Sequence, residues 1–112
     1  MDIAELEKMI TAGRDSAMLR LTLARLLAQA KQWDEAAGHL QTALTRDPDY
    51  TAAWKELGRV YHALGKTDAA LGAWNKGAEV ARRKGDKQAE KEMNVFLKRL
   101  LKAQNPRQAN GV

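Results

Sequence analysis

Two arginines, Arg25 and Arg59, stand 34 residues apart in closely similar surroundings. Guanidinium groups set in register can hold carboxylates or backbone carbonyls through charge-assisted hydrogen bonds. That is recognition chemistry. Groups for making and breaking bonds are scarcer. His39 and His62 have no second ligand or partner base at a useful spacing, which leaves a metal site or general-base catalysis without support. The chain has no Ser/His/Asp arrangement, no glycine-rich phosphate loop and no HExxH motif. It has no cysteine, which removes disulfides, thiolate nucleophiles and Cys-based zinc sites. The acids Asp34 and Glu35 open a helical pattern, where they favour its positive end. The basic tract Arg82-Arg83-Lys84, with Lys87 and Lys91, could contact nucleic acid or an anionic surface. No aromatic side chains interleave with it for base stacking, and basic residues also suit a helix C-terminus. The expectation is a binding protein, not an enzyme, with no cofactor and no metal.

The elements that must position these residues follow from an internal repeat. Sliding the chain against itself by 34 residues aligns Leu23 with Leu57, Arg25 with Arg59, Asp34 with Asp68, Ala36 with Ala70 and Gly38 with Gly72. Similar residues fill the gaps: Ala24 with Gly58, Leu26 with Val60, Leu27 with Tyr61, Leu40 with Trp74, Ala43 with Gly77. A period of this length is that of a helix–turn–helix solenoid unit. In the second unit Trp54, Leu57, Gly58 and Tyr61 share one helix face, and Ala70, Trp74, Gly77 and Ala78 share a face of the next helix. Gly58, Ala70 and Gly77 let the two backbones approach, while Trp54, Tyr61 and Trp74 fill the space beside them. The first unit repeats the scheme with Leu23, Ala24 and Leu27, then Ala36, Leu40 and Ala43. Lys31-Gln32 and Gly65-Lys66 break the units between their helices, with Trp33 packing at the first turn. Pro48, within Asp47-Pro48-Asp49, ends the first unit because proline cannot continue a helix.

These residues carry a resemblance. Residues 17–84 resemble two tetratricopeptide repeats, whose pattern is W-x2-L-G-x2-Y, then A-x3-F, then A, then P. Trp54, Leu57, Gly58, Tyr61, Ala70 and Trp74 match it, with Trp74 in place of Phe. Leu23, Ala24, Leu27, Ala36, Leu40, Ala43 and Pro48 match in the first repeat. Arg20 stands where the first Trp would be, so that corner is expected to be more exposed. Arg82 stands where the second Pro would be. The resemblance implies an all-α, antiparallel helix-turn-helix solenoid: one domain over 1–104, with repeats at 17–50 and 51–84.

In that family the first helix of each repeat lines a concave face where ligands bind. The resemblance therefore implies a groove bearing Leu21, Arg25, Ala28 and Gln29 from one helix, and Ala52, Lys55, Arg59, His62 and Ala63 from the other. Six of these are expected to touch a partner: Leu21, Arg25, Gln29, Lys55, Arg59 and His62. Arg25 and Arg59 could equally be solvated surface charges, paired with Glu56 or another nearby acid. Some family members grip a C-terminal carboxylate with Lys, Asn and Arg. Here Leu21, Arg25 and Glu56 replace one Lys and two Asn, so capture of chaperone tails is not expected.

The flanks read as single helices. Residues 2–12 place Ile3, Leu6, Met9 and Ile10 on one side, with Leu6 and Met9 at the positions of Leu40 and Ala43. They form half a repeat that covers the first full one, stopped by Gly13. Asp15 or Ser16 then caps the next helix. With no proline in 68–84, that helix should run to Gly85. Asp86 can cap a last, solvating helix over 86–103, with Ala89, Met93, Phe96, Leu97, Leu100 and Leu101 on one face and Lys91, Lys98, Arg99 and Lys102 on or near the other. Residues 105–112 are expected to be a disordered tail.

The 112 residues carry 45% apolar residues and only 5% aromatic ones, mostly Ala and Leu, which favours helices. The net charge of +5 comes from mixed basic and acidic residues, so it points weakly to acidic partners. The N-terminus is too acidic for a signal peptide and no apolar run approaches a membrane span, so a cytoplasmic location is expected. Function is expected to be protein–protein interaction: a peptide or helical segment, acidic in character, in a basic groove. The chain is expected to be a monomer or a weak homodimer, and the rival readings are a self-assembling structural protein and weak nucleic-acid binding through the basic C-terminal helix. Two full repeats with two flanking helices about suffice to bury a core.

Overall fold

A computed structural model describes residues 1–104, and the tail expected at 105–112 lies outside the described residues. The described residues form six α-helices: α1 (Ile3–Thr11), α2 (Ala17–Gln29), α3 (Trp33–Arg46), α4 (Thr51–Ala63), α5 (Thr67–Lys84) and α6 (Lys87–Gln104). Each start and stop has a local cause. Asp2, Ser16 and Asp86 accept hydrogen bonds from the backbone N–H three residues on, at 2.9, 3.1 and 3.1 Å, and so cap α1, α2 and α6. Ser16 is the cap of α2, which leaves the Asp15 carboxylate for another task. Gly85 ends α5 in the left-handed conformation at φ 75°, and the absence of proline at Arg82 lets α5 reach Lys84. The α2–α3 and α4–α5 turns use equivalent left-handed residues, Lys31 at φ 60° and Gly65 at φ 75°.

The helices stack in two layers. α3 packs on α2 and α4, α5 packs on α4 and α6, and α1 packs on α2. Within the even-numbered layer α2 meets α4 and α4 meets α6, whereas α3 and α5 do not meet. Neighbouring units are therefore closer along the even layer, which makes it the inner, concave side of an elongated body measuring 56 × 31 × 20 Å. The core runs along the interface of the layers. Leu23, Leu27, Leu40, Val60, Val80 and Met93 are its largest fully enclosed side chains.

The tight spots are glycines. A side chain at Gly58 would collide with the Trp74 indole, and one at Gly77 would collide with the Met93 sulfur and lie 2.9 Å from Trp54 Cβ. Trp74 is held across α4 by a 3.1 Å hydrogen bond from its Nε1 to the Lys55 carbonyl. Trp54 is anchored at the other end of the unit, its Nε1 donating to the Pro48 carbonyl at 2.8 Å.

Three expectations are corrected. Leu21, expected to face the groove, is 3% exposed and belongs to the core cluster, which draws residues from α1 to α5. Arg20, expected at an exposed corner, is largely enclosed. It donates two hydrogen bonds to Asp15, at 2.9 and 2.7 Å, and a third to His39 Nδ1 at 2.9 Å. Arg46 donates to the same Asp15 carboxylate at 2.8 Å. A polar lock thus takes the place of the missing indole. Leu101, expected on the buried face of α6, is 52% exposed, whereas Met93, Leu97 and Leu100 are buried. Among the described residues no helix follows α6 to cover that side.

The candidate binding groove

The concave face is built from α2, α4 and α6, and an acid of α4 knits its two recurring arginines together. Glu56 is 14% exposed and lies 3.2 Å from Arg59 Nη1 and 3.9 Å from Arg25 Nε. Arg59 donates a hydrogen bond to it, while Arg25 is held by charge alone. Both arginines stay half exposed, at 51% and 50%, so Glu56 leaves most of their N–H donors facing outward. One turn earlier on α4, Lys55 donates to Glu92 of α6, which also accepts from Gln88 at 3.1 Å. The bond from Lys55, aided by Gln88, holds the Glu92 carboxyl below its ordinary range.

Three shallow clefts run along this face. Arg25, Ala28, Gln29, Trp33, Glu56 and Arg59 line the first, between α2 and α4. Arg25, Thr51, Lys55, Gln88 and Glu92 line a second, polar one, where α2, α4 and α6 converge. The third lies between α4 and α6, among Arg59, His62, Trp74, Phe96, Arg99 and Leu100. The structure thus brings together five of the six residues expected to touch a partner. Arg25, Gln29, Lys55, Arg59 and His62 each line at least one cleft, and Leu21 lines none of them.

Glu92, Phe96 and Arg99 belong to this face and were not anticipated there. Arg59 sits over the Phe96 ring, its guanidinium carbon 5.2 Å from the centroid. The signal was obscured by a change of spacing. Lys55 and Glu92 are 37 residues apart, as are Arg59 and Phe96: α5 has 18 residues where α3 has 14, and two residues instead of four then lead to the next helix. The longer α5 shifts α6 out of the 34-residue frame. That extension has a structural use as well. Arg83 donates to Asp49 Oδ1 at 3.1 Å, and Lys84 Nζ donates to the Asp49 carbonyl at 2.9 Å. Two of the three cations in the basic tract are therefore tied to the α3–α4 turn.

The groove has the make-up of a recognition surface. Among the described residues no group of three His, Cys, Asp or Glu side chains could hold a metal ion. No helix among them is long and apolar enough to cross a membrane.

Paired helices stacked into a solenoid with a concave face define a repeat protein of the interaction-module class. The tetratricopeptide repeat pattern matches residues 21–88, and the chain belongs to that family. It is 46% identical over 103 residues to TPR repeat-containing protein PA0015 of Pseudomonas aeruginosa, covering 92% of this chain and 98% of that protein. Its fold is similar to the solution structure of protein BPP2914 from Bordetella parapertussis, with a TM-score of 0.83, 38% identity and coverage of 96% and 93% of the two chains. A tetratricopeptide repeat domain protein from Salinibacter ruber is similar over 77% of this chain and 96% of its own, with a TM-score of 0.72 and 26% identity. Proteins of this family generally hold other proteins.

Proposed function

We propose that this chain is a cytoplasmic interaction module that holds an acidic, extended or helical segment of a partner protein along α2, α4 and α6. One observation carries the reading. Arg25 and Arg59, from successive units, converge on a single carboxylate and still turn most of their donors outward. A carboxylate arriving from a partner meets guanidiniums already placed and ordered, which lowers the entropic cost of holding it. Lys55, Gln29 and His62 extend the same surface along α2 and α4. The net charge of +5 favours encounter with acidic segments.

The test compares wild type with Arg25→Glu/Arg59→Glu as baits in a lysate of the source cells, with captured proteins identified by mass spectrometry. The reading expects a protein that is held by wild type and lost with the double variant, whose helicity stays unchanged because both sites are half exposed. Equal capture by the two baits overturns the groove as the binding surface.

A further inference from the structure

We propose that the cleft between α4 and α6 takes one large apolar side chain of the partner, flanked in the partner's own sequence by carboxylates. This rests on the groove reading above and specifies which peptides the groove selects.

The cleft measures about 340 Å³ and opens on the concave face. That is within the usual range of roughly 300–1,000 Å³ for ligand pockets. Its floor is buried and apolar: Trp74 and Leu100 are 4% and 7% exposed. Trp74 and Phe96 lie with ring centroids 5.1 Å apart, and the His62 and Trp74 centroids are 6.1 Å apart. The Trp74 N–H already donates to the Lys55 carbonyl, so the indole offers an occupant only its apolar surface. Such a floor rewards hydrophobic contact and does not read hydrogen-bonding edges.

The rim is cationic. Arg59 and Arg99 are both exposed there, one on each bounding helix. Arg59 shares Glu56 with Arg25, and Arg99 has no acid partner among the described residues. An apolar residue seated in the cleft would place its neighbours beside these two guanidiniums, where acidic side chains complement them. A nucleobase would also find aromatic rings and arginines. It would find no hydrogen-bond donor on the cleft floor to read its edge, and the apolar side chain is the better fit.

The experiment uses three fluorescein-labelled probes and the full chain: an acidic decapeptide with a central Phe, the same peptide with a central Ser, and an oligouridine decamer. Fluorescence anisotropy reads the affinities. The Phe peptide should bind about tenfold more tightly than the Ser peptide, the gain expected from burying one large apolar side chain. Ala103 lines the cleft from the exposed end of α6, so Ala103→Trp should fill it and bring the two peptide affinities together. Equal binding of both peptides to wild type overturns the anchor site and leaves the groove reading standing. Binding of neither overturns both. Preference for oligouridine over both peptides overturns the class of ligand, and a Phe preference that survives Ala103→Trp overturns its location.

Discussion

The indole of Trp74 fills the space that a side chain at Gly58 would need. The two residues lie on the paired helices of the second unit, and the hydrogen bond from Trp74 to the Lys55 carbonyl keeps the ring where it is. Gly58 thus sets its poor helix propensity against a close packing in which the neighbouring helix occupies its side-chain volume.

Gly58→Ala should therefore lower stability by about 1–3 kcal/mol, since a rigid ring or the helix pair must shift. Gly38 and Gly72, which meet nothing within 4 Å, supply the contrast. Alanine at either should raise stability by up to about 1 kcal/mol, because it favours the helix at no steric cost. Urea unfolding of the three variants decides this. A Gly58→Ala midpoint at or above wild type would show that the indole moves freely.

The two equivalent turns differ in cost. Lys31 holds a left-handed conformation that Gly65 adopts freely. Lys31→Gly should range from neutral to about 1 kcal/mol more stable, and Gly65→Ala should lose about 1 kcal/mol. Thermal melts of both variants check the pair, and the signs should be opposite or at least clearly separated.

The lock around Arg20 should make stability depend on acid in two stages. Burial, and then the nearby Arg20, holds the His39 pKa below 6.5. A depressed histidine favours the fold in its neutral form, so this contribution is complete above 6.5 and fades as pH falls through the folded value. Arg20 has only donors, so His39 Nδ1 accepts from it, and protonating that nitrogen removes the acceptor. Hydrogen bonds from Arg20 chiefly, with Arg46, hold Asp15 at about 2 instead of 3.8. Its contribution is complete above 3.8 and is lost as pH falls toward 2. The Tm difference between wild type and Asp15→Asn should be constant near neutrality and close across that lower window. A difference that persists at pH 2 would show that the ion pairs are not its source.

Glu56 competes with any carboxylate brought by a partner. Glu56→Gln keeps the shape of the side chain and an oxygen that can still accept from Arg59, while removing the charge that competes for both guanidiniums. It should tighten binding of an acidic peptide by about two- to fivefold, the range of a modest ion pair. The gain should shrink at high salt, since these groups are half exposed. Titration of the peptide at low and high salt measures both effects, and unchanged affinity would place the peptide away from Arg25 and Arg59.

The six helices and their pairing were legible because their signals are local. Apolar spacing, caps such as Ser16 and Asp86, and stops such as Gly13 and Gly85 act within a turn or two of themselves. The repeat then ties one pair of helices to the next. Arg25 and Arg59 could be placed on one face by the same periodicity, and Glu56 was foreseeable as their partner. What periodicity cannot supply is the cover that one element lays over another. Leu21 is interior because it joins a core cluster assembled from α1 to α5, and Leu101 is exposed because no described helix follows α6. Arg20 is enclosed because Asp15 and His39 reach it from different segments, and Arg46 binds the same Asp15 carboxylate. The apolar cleft exists only where Trp74 of α5, Arg59 of α4 and Phe96 of α6 meet, after a longer α5 has broken the repeat frame. Helix formation depends on neighbours in the chain, which the sequence alone determined. Burial and the shape of a site depend on neighbours in space, and those the tertiary structure decided.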